Sequence, residues 1–114
     1  MSAAPLLKFD SYGREVAVVP EFGVYPNGRL AIGFIDLHEG HYGTLTVNVP
    51  SHRLHDGEIF VKDWSENADL SEACVQAGWI ELTGAFAVTG FSLAKVARLA
   101  GPLARHAERV GVTA

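Results

Sequence analysis

Across residues 44–49 polar and apolar positions alternate without a break. Leu45, Val47 and Val49 fall to one side, Thr44, Thr46 and Asn48 to the other. That is the period of a half-buried strand. Just upstream, residues 29–37 are apolar on both sides, with Leu30, Ile32 and Phe34 against Ala31, Ile35 and Leu37. This pattern predicts a central strand covered on both faces. The polar stretch 38–43 between them reads as the loop of an antiparallel hairpin. Pro26-Asn27-Gly28 reads as the preceding turn, because proline presets φ while Asn and Gly tolerate positive φ. Residues 6–10 suggest an edge strand and Tyr12-Gly13 a turn. The valine-rich stretch 15–19 reads as a strand closed by Pro20, with the chain still extended over 21–25. Residues 58–64 read as a further strand.

The helical period appears once with full punctuation. Asp69 reads as the N-cap, with Glu72 three residues later at capping-box spacing. Leu70, Ala73, Cys74 and Ala77 then fall on one helical face, and Gly78 is placed to end the helix. Beyond it, residues 79–82 read as a short strand and Thr83-Gly84 as a turn. Residues 86–99 read as one long strand bulged at Gly90. Gly101-Pro102 opens a last helix over 103–110, with Leu103, Ala107 and Val110 on one face. The expected fold is a single α+β domain over residues 1–114. It consists of a twisted, mainly antiparallel sheet of about five to six strands with one or two short helices, the 70–77 helix lying on one face.

Composition narrows the class. Apolar residues make up 48% of the 114 and charged residues 19%, the range of a globular domain able to bury a core. Cys74 is the only cysteine. An intrachain disulfide is therefore excluded, and a reducing cytoplasm is the natural compartment. The first residues lack a signal-peptide pattern, and no apolar run approaches the ~20 residues of a membrane span. The net charge of −4 argues against direct nucleic-acid binding, which calls for a basic footprint. Residues 56–81 carry seven acids and one base, Lys62, whereas residues 95–109 carry four bases and one acid. Such asymmetry is either a solvated face or an acidic surface that docks on a basic partner. Six Phe, three Tyr and two Trp are many to cover with one sheet and short helices. A homodimer through a sheet edge or the C-terminal helix is a corresponding expectation.

Candidate chemistry is sparse. His38 and His41 are three apart, as are His52 and His55, and Asp36 and Glu39 stand near the first pair. These types could hold a metal or serve a small enzyme built on residues 36–55. Both pairs lie in predicted loops without a cysteine pair, so exposed loop histidines are the simpler reading. No metal or cofactor is expected. Cys74 falls on the apolar helix face and reads as a buried, inert thiol. No nucleophile elbow or phosphate-cradling loop occurs. The acids Asp63, Glu66 and Asp69 read as helix-entry charges.

Four segments, G-R-L-A-I (28–32), T-L-T-V-N-V-P (44–50), F-V-K-D-W-S-E-N (60–67) and T-G-F (89–91), together and in this order resemble a family of small uncharacterised proteins. That family, a domain of unknown function, is carried by plasmids, integrative elements and phage-like elements. The resemblance spans residues 25–99 and supplies no catalytic residues. It implies a non-enzymatic accessory protein that binds a host or rival protein complex. One such role is a counter-defence inhibitor of the anti-CRISPR or anti-restriction type. If the target handles nucleic acid, its Lys/Arg grooves would meet the acidic window. The contact residues expected there are Asp63, Glu66 and Glu72, with Trp64 as an aromatic anchor.

Overall fold

The computed structural model describes residues 4–64, 67–90 and 92–114. The fold is α+β, with seven strands in two antiparallel sheets and two helices. The first sheet has the order β1 (Leu7–Ser11), β2 (Arg14–Val24), β3 (Leu30–Asp36), β4 (Gly40–Thr44). The second has the order β5 (Glu58–Val61), β7 (Ser92–Leu99), β6 (Ile80–Thr89). Helix α1 (Ala68–Gln76) lies between β5 and β6 in the chain, and α2 (Gly101–Val110) follows β7.

Two sheets replace the single expected sheet, and residues 45–47 explain how. The alternating stretch is a strand only as far as Thr44. Beyond it the chain crosses from one sheet to the other. Leu45 N–H donates to Ile32 O in β3, whereas Val47 N–H donates to Phe60 O and Leu45 O accepts from Lys62 N–H. A single bridge pairs Thr46 with Val61. The period-2 pattern is present because Leu45 and Val49 are buried in different clusters, not because one strand presents them to one core.

β3 is interior to its sheet as expected, with Leu30, Ile32 and Phe34 buried. Ala31 and Ile35 are half-covered, and Leu37 lies beyond the strand, 65% exposed. β1 is the expected edge. β2 does not stop at Pro20 but continues to Val24. Ile32 shares its backbone bonds with the β4 side, so its neighbours in the ladder face β2, and Pro20, opposite Phe34, points away from β3. β1 pairs only as far as Val18, so the missing N–H of Pro20 is not called upon.

Two further expectations are corrected. Residues 86–99 are not one bulged strand: Gly90, with φ of 59°, stands at the turn of a hairpin between β6 and β7. The irregularity lies earlier, where Thr83, Gly84 and Ala85 stand opposite Val96 alone. The N-cap of α1 is Asn67, not Asp69. An acid is favourable both at the cap and in the first turn, so sequence spacing does not separate the two positions. Asn67 uses its side chain to donate to Thr44 O, and a Cβ on Gly43 would come within 3.2 Å of Asn67 Oδ1.

The main core draws on both sheets and both helices, from Val18, Ile32, Phe34 and Leu45 to Val61, Leu70, Cys74, Ile80, Ala97 and Leu103. α1 packs on β1 and β6, the outer edges of the two sheets. α2 adds Leu103, its Ala107 is also buried, and its His106 stacks on Phe22 of β2 at 5.4 Å. A smaller cluster of Val49, Phe60, Ala87, Ala94 and Val96 fills the other side of the second sheet.

Candidate functional site

The acidic window does not form one free surface. Glu58 is buried, and its Oε1 accepts from the backbone N–H of His55 at 2.8 Å. Asp63 is half-buried and pairs with Lys95, Nζ to Oδ2 2.8 Å. Asp69 accepts from Ser11 Oγ and from Tyr42 Oη, the latter at 3.3 Å. Burial first, then the charge of Asp69, raises the pKa of Tyr42. Glu72 is exposed and accepts from Gln76 Nε2 one turn on, at 3.1 Å. Asp56 and Glu81 are exposed. Trp64 is half-buried on the link that follows β5. Glu66 lies outside the described residues. Of the four expected contact residues, Asp63 and Trp64 share the 62–64 link, whereas Glu72 stands on α1.

Residues 36–55 are likewise occupied with structure. Asp36 accepts from the N–H groups of His38 and Glu39 in the β3–β4 turn. The His38 bond is the main reason its carboxyl sits below the usual range. Glu39 pairs with Arg14 at 3.0 Å on the surface. Among the described residues no group of three or more His, Cys, Asp or Glu is placed to hold a metal ion. Cys74 is fully buried, and burial pushes its thiol up to about 12.

A cleft of about 500 Å³ opens between the β2–β3 turn and residues 53–60, with Tyr25, Arg53 and Glu58 in its wall. Its central cation is engaged. Arg29 Nη1 donates to Val49 O at 2.6 Å, Nη2 donates to His52 O, and the guanidinium lies 5.6 Å from the Phe60 ring centroid. Arg29 is a strut that fastens the 49–52 segment over the second sheet.

The uncovered apolar surface is elsewhere, at the far end of the β6–β7 hairpin. β5 pairs with β7 only from Lys95 to Arg98, so the hairpin overruns it by residues 92–94. In the ladder, Leu82 stands opposite Ala97, Phe86 opposite Lys95 and Val88 opposite Leu93. Because side chains alternate across a strand, Leu82, Phe86, Val88 and Leu93 share the face that, nearer β5, builds the main core through Ile59, Val61 and Ala97. Past the end of that core they stay exposed among the described residues, at 44%, 60%, 62% and 47%. Lys95 and Asp63 border this face with their ion pair. The opposite face is closed, since Ala87 and Ala94 lie under Val49.

Sequence reading missed this surface because one continuous strand over 86–99 gives no overhang. The signal was present in Thr89-Gly90-Phe91-Ser92, where glycine punctuates two apolar runs. Comparison with family models, with curated proteins and with solved structures finds no match. The described residues of the four motifs fall on the β2–β3 turn with the start of β3, the 45–47 crossover, the end of β5 with residues 62–64, and the end of β6 with Gly90.

Proposed function

We propose that this chain is a non-enzymatic protein-binding domain whose contact surface is the overhanging face of the β6–β7 hairpin. One observation carries the reading: Leu82, Phe86, Val88 and Leu93 lie together on one face, each between 44% and 62% exposed. Apolar side chains gathered on one exposed face, rather than scattered singly over the surface, are what an interface presents. The Lys95–Asp63 pair supplies a polar border, the usual anatomy of a rim. A small enzyme built on residues 36–55 draws no comparable support, because Asp36 and Glu39 are spent on their own turn and on Arg14.

The four motifs suggest the form this function takes: an accessory protein of a mobile element that inhibits a host or rival complex in a counter-defence role. In that form the exposed Glu72 meets a basic groove, and Asp63 does so only after leaving Lys95. A photo-reactive benzoylphenylalanine in place of Val88, in cells that naturally carry the protein, tests the reading. A discrete cross-linked product that disappears with Leu93→Lys supports it. Absence of any product at Val88, with the variant folded, overturns it.

A further inference from the structure

The outer flank of β6 carries unpaired backbone groups beside this apolar face. β6 is the last strand of its sheet. Thr89 and Ser92, separated by two residues, are the closing pair of the hairpin, and such a pair exchanges both ladder hydrogen bonds. Ladder bonds to β7 then recur at every second residue, at Ala87. Phe86 and Val88 turn their N–H and C=O groups outward, away from β7.

Edge strands are ordinarily kept apart by charge, proline or a bulge. Residues 82–89, L-T-G-A-F-A-V-T, contain no charge and no proline. The bulge at 83–85 shortens the usable edge to 86–89 but leaves that part regular. α1 covers the sheet nearer Ile80, where Leu70 and Cys74 share its cluster, and not at Phe86 or Val88, which stay exposed.

We infer that β6 pairs antiparallel with β6 of a second copy of this chain, about a twofold axis through Ala87; this identifies the partner of the surface proposed above and rests on that reading. Such pairing sets Phe86 against the partner's Val88 and Val88 against the partner's Phe86. Both residues of each pair point outward, so four backbone hydrogen bonds form. Phe86 and Val88 lie on one face, so the two exposed patches become continuous, each phenylalanine covering the flank of a valine. A second copy suits this edge because it brings no charge to it. A charged partner would find no counter-charge between Leu82 and Thr89, and the bordering Lys95 is already matched by Asp63. The contact is isologous and closes on itself, so it ends at a dimer.

Sedimentation velocity from micromolar to millimolar protein tests the inference. The expected result is a concentration-dependent dimer. Val88→Pro removes an outward N–H and no bond to β7, so it should weaken the dimer by about tenfold or more, two bonds being lost per pair of copies. Val24→Lys, at an exposed apolar position on β2, should change nothing. If circular dichroism shows that Val88→Pro does not fold, Phe86→Lys takes its place and should give a folded monomer. A wild-type chain that is monomeric throughout overturns the inference. So does a dimer indifferent to both hairpin variants. A monomer that still cross-links to another protein through position 88 overturns self-pairing alone; a monomer without that product overturns the binding reading as well.

Discussion

The Asp63 carboxylate lies 2.8 Å from Nζ of Lys95, joining the link after β5 to the middle of β7. A residue expected to reach for a partner is thereby turned to its own fold. Its worth to stability is modest, because the side chains are 23% and 49% exposed and water screens the pair. Asp63→Asn should lower the unfolding free energy by less than about 1 kcal/mol. A double-mutant cycle with Lys95→Met in urea should show a coupling that shrinks as salt is added. A coupling unchanged by salt would mean that the pair is held in a drier setting than its exposure indicates.

Tyr42 ties β4 to α1 through Asp69 Oδ2 and meets Phe9 edge-to-face at 5.8 Å. Burial and the Asp69 charge raise its pKa in the folded protein. The neutral hydroxyl is therefore the form that folding favours. Its contribution is fully present below the unfolded value, about 10, and is lost as pH rises through the higher folded value. Wild-type stability should decline in that alkaline window, and Tyr42→Phe should flatten part of the decline. The same variant should cost about 1 kcal/mol at neutral pH. Parallel denaturation curves from neutral to alkaline pH, with tyrosinate absorbance as the second readout, check both signs.

The legible parts of the fold are those where a local signal has one structural meaning. The Pro26-Asn27-Gly28 turn, the buried face of β3, the α1 stripe through Leu70 and Cys74, and the Gly101-Pro102 opening of α2 all read directly. Residues 44–49 did not, because alternation specifies which side chains are buried and not whether one sheet or two receive them. Pro20 misled for a related reason: whether a proline ends a strand depends on whether the flank it faces has a neighbour, and that is a tertiary fact. The exposed apolar face of the β6–β7 hairpin was hardest to see. Phe86, Val88 and Leu93 look like core residues in the sequence, and only the mismatch between a four-residue β5 and an eight-residue β7 leaves them uncovered. Asp63, Trp64 and Glu72 were singled out by charge and aromaticity, which report residue type but not engagement with Lys95 or Gln76.

Cys74 offers a direct probe of core integrity. With the thiol fully buried and its pKa at about 12, the native protein should resist a thiol-specific reagent at mildly alkaline pH. The denatured chain should react at once. Cys74→Val should be tolerated, whereas Cys74→Ser should cost about 1–3 kcal/mol by burying a hydroxyl among apolar neighbours. Rapid labelling of the folded protein would show that α1 opens from the core far more readily than its packing indicates.

Helix α2 begins and ends on glycine, and the two should differ in what they tolerate. Gly101 has φ of 48°, and a Cβ there would fall 2.6 Å from the carbonyl oxygen of Gly78. This close approach is where the end of β7 meets the end of α1, fastened by Ala100 N–H donating to Trp79 O at 2.8 Å. Gly111, the C-cap, has φ of 79° and open space around its Cβ position. Gly111→Ala should therefore cost only the left-handed backbone strain, about 1 kcal/mol. Gly101→Ala adds a steric clash with rigid backbone, for a total of roughly 2–4 kcal/mol. Relief requires α2 to tilt away from α1, which should also loosen Leu103 and the stack of His106 on Phe22. Thermal unfolding of the two variants side by side gives the ranking, and near-ultraviolet circular dichroism reports the environment of Trp79 beside the junction. Equal losses in the two proteins would show that the contact with Gly78 yields without strain and that the junction between α1 and α2 is softer than its geometry implies.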